Sequence, residues 1–153
     1  MATEVESRGE APATDAARFV EGFAEAWGRS DVEMLLALLA DDVVLRGPGL
    51  PDVHGKAAAR QMFTKLFRAF SGLHAIVHRW AASGDTVFIE FTLAGTLGGR
   101  ELSWAAVDRF TLRDGLAAER VNYFDARRFT IEILKRPRGW AQLARSGLRP
   151  SFK

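Results

Sequence analysis

The stretch TVFIEFTLAGTLGGRELSWAAVDRFTLRDGLAAERVNYF, residues 86–124, decides the fold. Apolar and polar side chains alternate along it with the period of two that is typical of strands lying over a core. The alternation is interrupted at Gly98-Gly99 and Asp114-Gly115, where glycine accepts the positive φ of a tight hairpin turn. We therefore predict an antiparallel meander, with strands at residues 86–97, 100–112 and 116–124.

A helical period precedes the meander. Phe19, Phe23 and Trp27 recur every four residues, which places them on one face of a helix. Thr14 is the predicted cap of this helix, and Gly28 is its predicted end.

A second helix is predicted to begin at a capping box, in which Ser30 accepts from the Glu33 amide. Asp41 and Asp42 are expected to stop this helix. The remaining elements are predicted as a strand at residues 43–46, a Gly/Pro loop at 47–51, a helix at 56–70, a strand at 73–82 and a closing helix at 126–135.

Helices gathered before an antiparallel meander predict an α+β domain. We divide the chain into a flexible leader at residues 1–13, a domain at 14–135 and a basic tail at 136–153. The 153 residues include no cysteine, which excludes a disulfide framework and a thiolate nucleophile and fits a reducing, cytoplasmic location. No apolar run is long enough to span a membrane, so we expect no membrane partner.

The end of the chain is basic, although the net charge of the whole chain is only +2. No acid interrupts its cations, which are Lys135, Arg136, Arg138, Arg145, Arg149 and Lys153. Such a cluster can hold phosphates. Because no aromatic side chains interleave with the cations in a nucleic-acid motif, we expect a solvated tail and no nucleic-acid partner.

Asp108 points most directly to chemistry. Alternation places it on the apolar face of its strand, beside Ala106 and Phe110. A carboxylate there is costly unless it is paired or protonated, and burial favours the protonated form. A neutral acid in an apolar cavity can donate to a developing oxyanion, and an ionised one can act as a base. The alternative is a purely structural acid that pairs with a backbone amide, Arg109 or Arg120.

Asn122, on the last predicted strand, can bind a carbonyl or orient a water, or it can be a hydrogen-bonded structural amide. Alternation puts Tyr123 on the opposite face, so only one of the two side chains faces the core. His54, His74 and His78 have no acid at ligand spacing, so we expect no metal. No glycine pair leads into a helix as a phosphate loop does, and we expect no cofactor.

The chain carries many aromatic side chains. Each one can be explained by core packing alone. As a group they favour a wide apolar cavity for a terpenoid, steroid or polyketide ring system. The group consists of Trp27, Phe70, Trp80, Phe91, Trp104, Phe124 and Phe129.

Taken in order, these motifs resemble the SnoaL-like and ketosteroid-isomerase-like branch of the NTF2-like superfamily. The front half of the resemblance lies in residues 19–27, 30–31, 39–43 and 54–56, and the back half in residues 108–115 and 121–125. The resemblance spans residues 15–133. It implies a cone, in which a curved antiparallel or mixed sheet wraps around three N-terminal helices and encloses an apolar pocket. It also implies a homodimer through the outer sheet face, where Phe88, Glu90 and Thr92 lie.

The resemblance further implies a set of site residues. Asp108 and Asn122 would be the catalytic pair, and the substrate would lie against Trp27, Leu45, Leu66, Phe70, Phe91, Leu93, Trp104, Ala106, Phe124 and Phe129. Two familiar catalytic sets of the superfamily are not intact. The positions similar to the limonene-epoxide hydrolase set are Leu93, Phe91, Asn122, Leu45 and Gly47. The positions similar to the ketosteroid isomerase set are Gly47, Phe23 and Asp108. Only Asp108 keeps the residue type of that set.

We therefore expect a cofactor-free acid/base cyclase, isomerase or dehydratase that acts on a small hydrophobic molecule. Three alternatives stay open at this point. They are a binding module without catalysis, an interaction scaffold, and an epoxide hydrolase with a non-standard site.

Overall fold

A computed structural model describes residues 10–149 of the chain. The helices are α1 (Glu10–Arg29), α2 (Val32–Ala37), α3 (Lys56–Ala69), α4 (Ala126–Leu134) and α5 (Pro137–Ser146). The strands are β1 (Leu39–Arg46), β2 (Val53–His54), β3 (Ser71–Ser83), β4 (Thr86–Leu97), β5 (Arg100–Arg113) and β6 (Leu116–Tyr123). Within this part of the chain, no helix is long and apolar enough to cross a membrane.

The strands form one mixed sheet in the order β2-β1-β6-β5-β4-β3. Strands β4 to β6 are the predicted meander, β3 is the strand predicted at residues 73–82, and each neighbouring pair from β3 to β6 is antiparallel. Strand β1 joins the free edge of β6 in parallel, with Leu45 opposite Arg120. The predicted α+β cone, a curved sheet around N-terminal helices, is confirmed.

Helix α1 fills the concave face of the sheet with aromatic side chains. Phe19 packs edge-on against Phe110, with ring centroids 4.7 Å apart, and Phe23 packs against Phe91 at 5.3 Å. Each such pair contributes about 0.5–1.5 kcal/mol beyond its buried area. The four-residue spacing seen in the sequence is therefore the stripe that holds α1 on the sheet.

The start of α2 differs from the prediction. Asp31, not Ser30, is the N-cap, and its carboxylate accepts from the Met34 amide at 3.0 Å. Ser30 has a φ of 54°, whereas an N-cap residue needs an extended backbone. The Ser30 hydroxyl instead donates to the Leu73 carbonyl at 2.5 Å, so it ties the α1–α2 turn to β3.

The end of α2 also differs from the prediction. The helix ends at Ala37, and the two acids expected to stop it, Asp41 and Asp42, lie inside β1. The reason is pairing with β6, which begins where the Ala117 amide donates to the Leu38 carbonyl at 2.8 Å. Helix α1 likewise starts at Glu10, before the predicted cap Thr14.

Helix α5 occupies residues predicted to be a solvated tail. It runs from Pro137 to Ser146, and Gly147, whose φ is 78°, caps its C-terminal end. Gly139 lies so close to the β4–β5 turn that an added Cβ would be 2.4 Å from Leu97 Cγ. Arg136 is only 8% exposed, and its guanidinium donates to the Glu132 carbonyl at 2.6 Å and the Glu101 carbonyl at 2.8 Å. These contacts fix α5 to the body of the domain.

Parts of two predicted segments lie outside the described residues. They are positions 1–9 of the leader and positions 150–153 of the basic tail, which include Lys153.

Candidate functional site

Asp108 lies in the middle of β5 on the concave face of the sheet, where the sequence pattern places it. Its neighbours on that face, Ala106 and Phe110, are buried, and Asp108 itself is 1% exposed. The alternative partner Arg109 faces the other way and donates to Glu119 at 3.1 Å. Asp108 is therefore a core residue, and Arg109 does not neutralise it.

Asn122 faces the same side of the sheet. It lies directly opposite Asp108 across the β5–β6 pair, and its Nδ2 donates to Asp108 Oδ1 at 2.6 Å. Tyr123 points away from the core and is 52% exposed, which answers the question of faces left open by the alternation. Because Oδ1 already accepts from Asn122, Oδ2 is the oxygen of Asp108 that can carry a proton.

Arg120 also belongs to this site. It lies opposite Phe110 on β6, two residues from Asn122, and so shares the concave face. Its Nε is buried, and no hydrogen-bond partner for it exists among residues 10–149. From the sequence, Arg120 was predicted only as a structural partner of Asp108, although its even spacing from Asn122 was a signal that both side chains share one face.

The protonation of Asp108 is decided by opposing effects. Burial raises the pKa of the carboxyl above its ordinary value of 3.8, while the charge of Arg120 and the hydrogen bond from Asn122 lower it. Burial prevails, so the pKa of Asp108 is raised. No ion pair within 4.0 Å joins Asp108 to a cation in the described part of the chain. In its protonated form, a buried carboxylic acid can donate a hydrogen bond or a proton.

A cavity of about 20 Å³ borders the carboxyl group. Its walls are apolar apart from Asp108 and Arg120, and consist of Phe19, Phe23, Trp27, Leu35, Leu38, Leu39, Leu45, Phe63 and Phe110. This volume holds about one water molecule. The predicted wide cavity is thus not confirmed, because aromatic side chains of α1 and β5 fill the space.

The structure separates the residues predicted to line the pocket. Of them, Trp27 and Leu45 border the cavity beside Asp108. Four others form an aromatic cluster beneath α4, in which Phe129 contacts Trp104 at 4.7 Å, Phe124 at 5.5 Å and Phe70 at 6.0 Å between ring centroids. Trp104 is four residues from Asp108, or about 13 Å along a strand.

The other predicted lining residues belong to the core between these two places. Phe91, Leu93 and Ala106 are buried on the concave face of the sheet. Leu66, on α3, is partly buried against the same core. Substrate contact with them stays a prediction.

Gly47 explains part of the shape of the site. It follows β1 next to Asn122, and an added Cβ would lie 3.2 Å from Asn122 Cβ. A side chain at this position therefore has little room unless Asn122 moves. The glycine leaves Asn122 free to hold Asp108.

The three histidines lie apart from this site. His74 Nδ1 is 2.9 Å from the Gly72 carbonyl, and His78 Nε2 is 2.8 Å from Thr92 Oγ1. In the part of the chain described by the structure, no three acidic, histidine or cysteine side chains come together as metal ligands.

The fold and its buried acid define an α+β cone with a polar residue pair inside an apolar core. The SnoaL-like domain family matches residues 20–120, well over half of the chain, so the chain belongs to that family. Comparison with functionally curated proteins gives no significant match.

Solved structures with the same fold include a LEH-like epoxide hydrolase from M. tuberculosis. It is 26% identical, with a TM-score of 0.67, and the alignment covers 86% of this chain and 96% of that one. A putative SnoaL-like polyketide cyclase from Jannaschia sp. CCS1 is 21% identical, with a TM-score of 0.70 over 86% and 96% of the two chains. TerC, co-crystallised with polyporic acid, is 22% identical, with a TM-score of 0.71 over 78% and 98%.

Proposed function

We propose that this SnoaL-like domain is a cofactor-free acid/base enzyme for a small hydrophobic molecule, with Asp108 as its proton-handling group. One observation carries the proposal. A fully buried carboxyl group with a raised pKa borders an apolar cavity and, within residues 10–149, has a single hydrogen-bond partner, Asn122. Acids displaced from their ordinary pKa in an enclosed site are candidates for catalysis.

The proposed chemistry starts from the neutral acid. Asp108 donates its proton to a carbonyl, enolate or epoxide oxygen of the substrate, and becomes a carboxylate that can later take a proton back. Asn122 holds the carboxyl in place throughout. The charge of Arg120 favours the ionised form of Asp108, so this arginine stabilises the carboxylate that proton donation leaves behind.

A substrate has to open the site. Pockets for drug-sized ligands occupy about 300–1,000 Å³, far more than the cavity of about 20 Å³. Leu38 is partly exposed and borders the cavity between α2 and β1. We propose that α2 moves outward at this residue when substrate enters.

The structural neighbours support the class of substrate. An epoxide hydrolase, a putative polyketide cyclase and a protein crystallised with polyporic acid share this fold. We therefore propose a cyclic polyketide, terpenoid or steroid-like substrate, and cyclisation, isomerisation or dehydration as the reaction.

A substrate panel tests the proposal. The wild type is assayed against cyclic ketones, enones and epoxides by mass spectrometry, together with Asp108→Asn and Asp114→Asn. Asp114 is an exposed acid in the β5–β6 turn and serves as the matched control. We expect Asp108→Asn to lose roughly 10²-fold or more in turnover, since general acid catalysis contributes about that much. Equal turnover in all three proteins would overturn the proposal.

A second candidate is a binding module that performs no reaction. It is favoured by the walls of the cavity, where, in the described part of the chain, Asp108 is accompanied by no second acid, histidine or tyrosine. In that case, calorimetry would detect binding of panel compounds while product formation stays at the background rate. Asp108→Asn would then change affinity without changing any rate.

We also propose that the protein is a cytoplasmic homodimer joined through the outer sheet face. Phe88 is 42% exposed there, and Ile76 and Tyr123 are exposed on the same face. Light scattering of the wild type and Phe88→Asp tests this assembly. A wild type that stays monomeric at high concentration would contradict it.

A further inference from the structure

Three arginines from two helices line one cleft, and all three are distant from Asp108 in the sequence. Arg68 comes from the last turn of α3, and Arg138 and Arg145 come from α5. With Gln142 and Ser146 they line an open cleft of about 470 Å³, called the arginine cleft below. None of its lining residues is shared with the cavity at Asp108.

Among residues 10–149, no acidic group neutralises the positive charge of the arginine cleft. No acid lines the cleft, and none of its three arginines forms an ion pair among residues 10–149. Arg145 donates from Nε to the Ala141 carbonyl at 3.2 Å, which keeps the two Nη groups for other partners. Three unpaired guanidinium groups around one concavity repel each other until an anion binds.

The cleft is held open by rigid contacts. Gln142 Nε2 donates to Ser71 Oγ at 3.0 Å, and its Oε1 accepts from the Gly98 amide at 3.3 Å. Ser146 is buried, and its hydroxyl donates to the Leu143 carbonyl at 2.6 Å. Gly98 lies against Gly139, where an added Cβ would be 2.5 Å from the Gly139 amide nitrogen. These contacts set the distance between α5 and the α3 arginine before any ligand arrives.

Guanidinium groups match the geometry of phosphate oxygens, which they bind through paired N–H donors. Three of them provide more charge than one phosphate group needs. A volume of about 470 Å³ is that of a small-molecule site. The exposed Trp140 does not line the cleft, and its indole donates to the Ile133 carbonyl at 3.1 Å. The lining formed by residues 10–149 therefore lacks the stacking platform of a single-strand nucleic-acid site.

We propose that the arginine cleft binds the diphosphate group of a small phosphorylated molecule. Arg68, Arg138 and Arg145 contact the phosphate oxygens, and Gln142 positions α5. The diphosphate belongs either to a nucleotide or to another phosphorylated metabolite.

Isothermal titration calorimetry with inorganic pyrophosphate, ADP and adenosine tests this site on the full chain. We expect saturable binding of pyrophosphate and ADP with one site per chain, and none of adenosine. Tighter binding of ADP would identify a nucleotide as the source, and equal affinities would identify the diphosphate alone. Absence of saturable pyrophosphate binding would overturn the proposal.

Two double variants with equal charge change show where binding occurs. Arg68→Gln/Arg145→Gln should weaken pyrophosphate binding roughly 100-fold, about tenfold for each charged hydrogen-bonding group lost. Arg18→Gln/Arg127→Gln removes the same charge from exposed positions on α1 and α4, and should leave the affinity unchanged. Equal weakening in both doubles would overturn the proposal.

A single-stranded RNA oligonucleotide completes the test. We expect it to bind no tighter than ADP. If RNA binds more tightly than ADP and both double variants weaken its binding equally, the proposal is overturned. The basic residues would then form a diffuse nucleic-acid-binding surface and not a small-molecule site.

Discussion

Asp108 and the arginine cleft place ionisable groups in opposite surroundings. Asp108 is 1% exposed among aromatic rings, whereas Arg68, Arg138 and Arg145 lie around a cleft that water reaches. A charge in the first place loses its hydration, so burial raises the pKa of the carboxyl. Charges in the second place keep their hydration. One region is therefore suited to moving a proton and the other to holding an anion.

Placing a cation at position 108 should have the largest effect. Asp108→Lys puts that cation beside Arg120 in the core, where the cavity walls within residues 10–149 offer no acid to pair with it. We expect a loss of more than about 4 kcal/mol in the free energy of unfolding, or failure to fold, since uncompensated buried charges cost about this much. Urea unfolding followed by circular dichroism measures it. A loss below about 1 kcal/mol would mean that water reaches the site.

Removing the partner of Asp108 should have a smaller effect. Asn122→Ala deletes the amide that donates to Oδ1 at 2.6 Å, and leaves a buried acceptor unsatisfied at a cost of about 1–3 kcal/mol. The pKa of Asp108 should also rise further, because the bond from Asn122 lowers it. Chemical unfolding at neutral pH measures the first effect and carboxyl NMR the second. An unchanged stability would show that Asn122 is dispensable.

The stability of the protein should depend on pH through Asp108. Because its pKa is higher in the folded state than the ordinary value of 3.8, the folded protein binds the proton more tightly. Its contribution is fully present below pH 3.8 and is lost as the pH rises through the folded-state pKa. The free energy of unfolding changes with pH by at most about 1.4 kcal/mol per pH unit for one proton.

Asp108→Asn is the control for that slope. The variant keeps an oxygen that can accept from Asn122, but it cannot titrate. Unfolding curves from pH 4 upwards, compared between the two proteins, isolate the contribution of Asp108. If both proteins lose stability equally with pH, other groups are responsible.

Reversing a charge at the arginine cleft should have the smallest effect on folding. Arg145→Glu changes an exposed residue in the last turn of α5, where an acid opposes the helix dipole by under about 1 kcal/mol. The substitution also relieves the repulsion among the three arginines of the cleft, so thermal unfolding at low and high salt should show a net change below about 1 kcal/mol, which salt reduces. A loss as large as that of Asn122→Ala would mean that Arg145 has a structural partner.

The sheet was predictable because its signal is local. Alternation in residues 86–124 set the strands, the turns and the face of Asp108, and each of these agrees with the structure. Cap selection was not predictable in the same way. Ser30 and Asp31 are both good N-cap residues. Asp31 is the N-cap because Ser30 has a positive φ. The hydroxyl of Ser30 is bonded to β3 instead.

The helix α5 and the size of the cavity depend on contacts distant in sequence. Gly139 packs against Leu97 and Gly98, where there is room only for a residue without a side chain. A contact of this kind leaves no periodic pattern of apolar residues in the sequence. Arg68 reaches the arginine cleft from a different helix than the basic tail. The cavity is small because Phe19, Phe23 and Phe110 fill it, whereas aromatic content alone favoured a wide one.

The pKa of Asp108 tests the central claim most directly. Titration of its carboxyl carbon by NMR, with Asp108→Asn to assign the signal, reports the protonation of this one group. We predict a midpoint above the ordinary value of 3.8, so that the carboxyl keeps its proton to a higher pH than a solvated aspartate does. A midpoint at or below that value would show a solvated or ion-paired carboxylate, and would contradict the proton-handling role of Asp108.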